Sequence, residues 1–184
     1  MGQNGGDLQF KIQFAALIVA LYVALYYLTG FLHSENLPTA VASLLFLPAF
    51  ARLLGFLVIG YWSIPALFIA GLFCVDLGLG FSDRILISAF IATGAPLAIG
   101  TASRLLQLQP SLTNLTPIRL LWLSLASSFG NMIFYNTGLA LVGLNFFQPK
   151  DLAATFIGDA AGTWAIISVI KLSLTSWGRW VLRR

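Results

Sequence analysis

Five side chains in this sequence have the types and spacing to do chemistry inside an apolar medium: Arg52, Asp76, Asn131, Asn136 and Asp159. Arg52 falls near the middle of LLFLPAFARLLGFLVIGYW, residues 44–62, which is otherwise apolar enough to sit in lipid. An arginine at the centre of a membrane helix costs about 2.5–3.5 kcal/mol on insertion scales, so it faces other helices, a carboxylate or a water-filled space. Asp76 and Asp159 lie inside other apolar runs, and the two asparagines lie in a third that also carries Ser124, Ser127, Ser128 and Thr137. Together these groups suit a polar pocket that takes a small polar or cationic ligand, or a proton. They suit equally a buried pair of Arg52 with one aspartate that fixes helix register and leaves the other aspartate protonated.

Hydrolytic and phosphoryl-transfer chemistry lacks its signatures. There is no HExxH, no GxSxG and no phosphate-binding glycine loop, and His33 is the only histidine. Cys74 is the only cysteine, which excludes an intramolecular disulfide and a thiolate metal cluster within one chain, and reads as a small apolar residue packed in a span. A non-enzymatic protein with no metal site and no cofactor signature is the expectation. The net charge of +4 does not mark a nucleic-acid binder, because the cations stand at the ends of apolar runs, with Arg179, Arg183 and Arg184 near the last residue.

The elements that must position these groups are membrane helices. Of 184 residues 59% are hydrophobic and 9% charged, far from the roughly 25% charge of soluble domains, and the mean hydropathy is +0.90. At about 20 residues per span the chain reads as one all-α integral membrane domain, 1–184, with six transmembrane helices at 14–32, 38–60, 64–80, 85–103, 119–144 and 152–174. The first run reads as a retained span rather than a signal peptide, because a short polar segment precedes it without a cleavage site. Six spans put both termini on one side with Lys11, Arg104, Arg119, Arg179, Arg183 and Arg184, against Arg84 and Lys150 on the other. The positive-inside bias makes that side cytoplasmic, in an inner (plasma) membrane.

Local features refine the spans. Ala16, Ala20 and Ala24 recur every four residues, a spacing of small residues that admits a second helix. Pro48 falls inside the second span four residues before Arg52 and is expected to kink or break it. Asn131 and Asn136, five apart, lie about 140° from one another on a helix, so they do not share a narrow face; one is expected to cap a break near Gly130 or Gly138. At 1.5 Å per residue, Asp76 and Asp159 reach one level, and Arg52 is expected roughly 10 Å deeper, as a cationic floor.

At LPAFARLLGFLVIGYWSIPALFIAGL, residues 47–72, and at FIGDAAGTW, residues 156–164, the chain resembles the membrane-associated sensor (MASE-type) domains of bacterial signalling proteins. The better of the two matches is the aromatic-x-Gly-Asp-x-x-Gly pattern formed by Phe156, Gly158, Asp159 and Gly162. The resemblance implies a ligand-sensing or interaction module, here without an adjoining cyclase, kinase or phosphodiesterase and so dependent on a partner membrane protein. Six spans in about 180 residues with the alanine line also resemble the substrate-binding S components of energy-coupling-factor transporters. In that resemblance Ala16, Ala20 and Ala24 would contact a coupling subunit. A third reading is an accessory subunit of a larger membrane complex, covered by lipid and partner chains.

Overall fold

The structure is a computed structural model that describes residues 3–33, 45–75, 78–144 and 148–181, with the side chains of 3–5 and 176–181 excepted. Among those residues every regular element is helical: α1 Gln3–His33, α2 Pro48–Ile59, α3 Ser63–Cys74, α4 Phe81–Leu105, α5 Pro117–Leu141 and α6 Pro149–Val181. The short 3-10 turn Gly60–Trp62 joins α2 to α3, so the described residues make five helical bodies. Four stretches, Gly6–Leu32, Pro48–Cys74, Phe81–Leu105 and Pro149–Thr175, are long and apolar enough to cross a membrane. Helices suit that solvent because each satisfies its own backbone where no water can.

The second of these stretches is bent back on itself. A straight helix would separate Arg52 from Cys74 by about 33 Å, yet the two side chains line one cavity. The reversal happens at Gly60, whose φ of 59° and ψ of −137° lie where other residues are strained. Past the corner, Ser63 Cβ comes within 3.3 Å of where a Cβ on Gly55 would sit. Tyr61 and Trp62 at the turn are partly exposed, 45% and 47%, and the Tyr61 ring lies edge-on to Phe56 and against Gly100 of α4.

α1 buries Ile18, Tyr22, Leu25 and Thr29, a helical stripe that packs on α2 and α3. Ala16, Ala20 and Ala24 lie on the opposite side and are exposed. α4 and α5 form the closest pair of helices: a Cβ on Gly94 would stand 2.7 Å from the Gly130 carbonyl oxygen and 2.6 Å from Phe134 Cβ. α5 is as long as α4, 25 residues, but is not among the four apolar stretches. It packs on α4 and also on α6, so it buries two faces, and its serines and asparagines lie inside the bundle rather than against lipid.

Three differences from the sequence reading concern the site. The expected span 38–60 is not one helix: 34–44 lie outside the described residues, 45–47 are not helical, and α2 starts at Pro48. Pro48 therefore opens a helix, where its missing N–H costs nothing, so that of the expected kink or break it is the break that occurs. The chain leaves helical geometry there because its backbone bonds go elsewhere: Phe46 N–H donates to Gly158 O at 2.9 Å, and Leu47 N–H to Thr29 Oγ1 at 3.3 Å. The expected span 64–80 ends as a helix at Cys74, where Val75 turns extended with φ −79° and ψ 92°. The third difference is in α5, which runs unbroken past Gly130 and Gly138, so neither asparagine caps a break.

Candidate functional site

Arg52, Asp159, Asn131 and Tyr22 meet at one level of the bundle. Asp159 lies ten residues from the start of α6 and Asn131 ten from the end of α5, while Tyr22 lies eleven from the end of α1. Each is about 15–17 Å from that end of its helix. The sequence ruler set Arg52 deeper than Asp159 because it measured depth along a straight span from residue 38, although a kink or break at Pro48 was expected. With α2 starting at Pro48, Arg52 reaches the Asp159 level directly.

The contacts are close. Arg52 Nη1 donates to Asp159 Oδ2 at 2.8 Å, and Asn131 Nδ2 donates to the same oxygen at 2.7 Å. Arg52 Nη2 donates to the Tyr22 hydroxyl at 3.1 Å. The guanidinium carbon stands 5.1 Å from the Phe46 ring centroid and 5.6 Å from that of Tyr22, within the range where a cation is drawn to an aromatic face. Arg52 and Asp159 are each 2% exposed. Burying either ion alone would be costly, and the shared bonds offset the loss of water.

Gly158 and Gly162 give this cluster its shape. They stand one turn apart on α6, with Asp159 between them, and the backbone of residue 46 crosses the helix at that point. Phe46 N–H bonds to Gly158 O, and a Cβ on Gly162 would run into the Phe46 carbonyl. Gly162 thus has a physical use: it admits a crossing segment of backbone that brings the Phe46 ring over Arg52. Thr163, one turn beyond Asp159, is also buried and returns its hydroxyl proton to Asp159 O at 2.9 Å.

Above the cluster lies a cavity of about 350 Å³, within the roughly 300–1,000 Å³ range of small-molecule sites. Arg52, Asp159 and Asn131 line it from α2, α6 and α5, and Asn136 lines it one and a half turns further along α5. Asn136 spends its amide on Met132 O at 2.7 Å. Both asparagines face this one space although about 140° separates them on the helix, because the cavity is wide enough to meet two faces of α5. Asp151 and Thr155, on the first turns of α6, line the end away from Asp159. Asp76 lies outside the described residues.

Sequence reasoning singled out Arg52, Asp159, Asn131 and Asn136, and the structure gathers these four. It missed Tyr22, Phe46, Tyr135 and Asp151, and it read Cys74 only as packing; all five line the cavity. Tyr22 carried a legible signal, since tyrosines of membrane helices gather at the interfaces and this one stands mid-span. Among the described residues no three His, Cys, Asp or Glu side chains come together as metal ligands would. The arrangement can bind and orient a guest by hydrogen bonds and ring faces. No family model, no curated protein and no solved structure matches the chain.

Proposed function

We propose that this chain is a non-enzymatic, sensor-like membrane module that receives a small ligand in the cavity above Arg52 and Asp159 and reports it to a partner membrane protein. The observation that carries this reading is the union of the cavity with the buried charge pair: five helical bodies line a mostly apolar, aromatic-walled space that has the pair at its floor. Intramembrane ionisable groups of this kind mark ligand and ion sites more often than mere scaffolding. The reading includes six membrane segments, α2 and α3 counted separately, with both termini in the cytoplasm of a cell bounded by that inner membrane. The alternating helix directions and the cation bias support it.

A solute-binding subunit that hands its ligand to a coupling protein is the second reading. One observation favours it: Ala16, Ala20 and Ala24 face outward from α1 and are exposed, which leaves a smooth side for another helix. A covered accessory subunit would use the same side.

The test is isolation of the tagged chain in mild detergent, with mass spectrometry of the small molecules and proteins that come with it. The ligand reading expects a small molecule on the wild type that is lost from Ala154→Trp, which fills the cavity wall. An empty wild type alongside a stoichiometric protein complex would instead support the accessory role. A co-isolated ATPase pair would support the transporter reading.

A further inference from the structure

The lining of the cavity is unbalanced in charge. Among the described residues it holds one cation, Arg52, and two carboxylates, Asp159 and Asp151. Asp151 stands about 12 Å from Asp159 along α6, in the first turn, where the helix dipole favours a charged carboxylate. It forms no ion pair among the described residues. Lys150, next to it in sequence, is exposed and does not line the cavity.

Asp159 also has an oxygen to spare. Both of its side-chain hydrogen bonds, from Arg52 Nη1 and Asn131 Nδ2, end on Oδ2. Among the described residues the sealed side-chain atoms that lack a partner are Arg52 Nε, Ser88 Oγ and Asn131 Oδ1. Asp159 Oδ1 has no partner and is not one of the sealed atoms, so it borders open space. Since Asp159 is 2% exposed and lines the cavity, that space is the cavity. A carboxylate oxygen only accepts, so the vacancy calls for a donor.

The surroundings narrow the donor's chemistry. An anion would meet two carboxylates and a guanidinium already engaged by Asp159 and Tyr22. A bare divalent metal ion takes six or more oxygen ligands, whereas these walls are mostly apolar and gather no three His, Cys, Asp or Glu side chains among the described residues. A neutral donor would leave the surplus negative charge uncompensated where the dielectric is low. Arg52 already lies by the rings of Tyr22 and Phe46; Tyr26 and Tyr135 add further aromatic wall, which suits both a cation and an apolar body.

We infer that the ligand is an organic ammonium ion, a protonated primary or secondary amine on an apolar body. Its N–H donates to Asp159 Oδ1 while Arg52 keeps Oδ2, Asp151 adds attraction from the other end, and the apolar body lies against Tyr26 and Tyr135. This inference rests on the cavity reading proposed above and adds the charge and chemical class of the guest.

Cys74 makes the test direct, because it lines the cavity and is the only cysteine of the chain. The purified full-length chain in lipid nanodiscs at neutral pH is treated with methyl methanethiosulfonate, and the rate of Cys74 modification is measured by intact mass. Four probes built on one phenyl ring are added in turn: 2-phenylethylamine, its N,N,N-trimethyl ammonium ion, 2-phenylethanol and phenylacetate. The inference expects the amine to protect Cys74 at about tenfold lower concentration than the alcohol, the worth of one charge-assisted hydrogen bond over a neutral one. The trimethyl ion, which has the charge without the N–H, should fall between them, and phenylacetate should protect least. Asp151→Asn should weaken protection by the amine about threefold and leave the alcohol unchanged; an unchanged amine would overturn the part given to Asp151. Protection by the trimethyl ion equal to that of the amine would overturn the bond to Oδ1. Equal protection by amine and alcohol, strongest protection by phenylacetate, or none from any probe while Cys74 reacts would overturn the ligand class and leave the cavity standing. Failure of Cys74 to react until the chain is unfolded in dodecyl sulfate would overturn the cavity itself.

Discussion

Replacing Asp159 with leucine removes, in one step, the acceptor of Arg52 Nη1 and that of Asn131 Nδ2. Arg52 is 2% exposed and a guanidinium does not give up its proton, so the variant holds a buried cation whose remaining bond is to Tyr22. Breaking a buried pair in this way costs about 3–5 kcal/mol. Arg52→Met should cost less, about 1–3 kcal/mol, because the carboxyl left behind can take up a proton and keep Asn131 as a neighbour. The double variant Arg52→Met/Asp159→Leu replaces the pair with apolar side chains and should return to within about 1 kcal/mol of wild type. Equilibrium unfolding in mixed micelles, followed by circular dichroism, measures all three on one scale. The reasoning is refuted if the two single losses simply add in the double variant, because a coupled pair cannot be additive. The same double variant should fold and yet hold no ligand, which separates the structural use of the pair from its use in binding.

Gly162→Ala drives a methyl group into the Phe46 carbonyl; a loss of about 1–3 kcal/mol should appear in the same unfolding assay, together with faster modification of Cys74 as the Phe46 wall shifts. Tyr22→Phe keeps the ring over Arg52 but removes the hydroxyl that accepts from Nη2, and should lower stability by about 1.5–3 kcal/mol; no change would mean that the bond is not made. Pro48→Ala should alter stability by less than about 1 kcal/mol, since proline at the first position of α2 loses no helical hydrogen bond. A gain near 3 kcal/mol would place Pro48 inside a kinked helix instead.

Arg52 was legible as the residue around which the chain is arranged because a charge in an apolar run is rare and costly, and Asp159 because a small-residue run held a carboxylate too deep to reach the interface. The polar character of α5 was equally plain. A break at Pro48 was legible too; what the sequence hid was the set of bonds that make it. Periodicity and hydropathy run smoothly through Leu44–Pro48–Arg52, and the bonds that stop the helix come from α1 and α6, at Thr29 and Gly158, which no local pattern reveals. Measuring depth along a straight span displaced Arg52 by several ångströms and hid its meeting with Tyr22. The sequence placed a turn between two spans after Gly60, and α2 and α3 on either side of it have 12 residues each.

The central claim is that the buried pair of Arg52 and Asp159 forms the floor of a cavity whose other end is lined by Asp151 and Thr155. Side-specific labelling of Cys74 in sealed membrane vesicles tests it most directly, with a small membrane-impermeant methanethiosulfonate applied from either face and modification read by mass. The account predicts modification from the face nearest Asp151 and none from the face that carries the Gly60–Trp62 turn. Modification from the opposite face, or from neither, would contradict it.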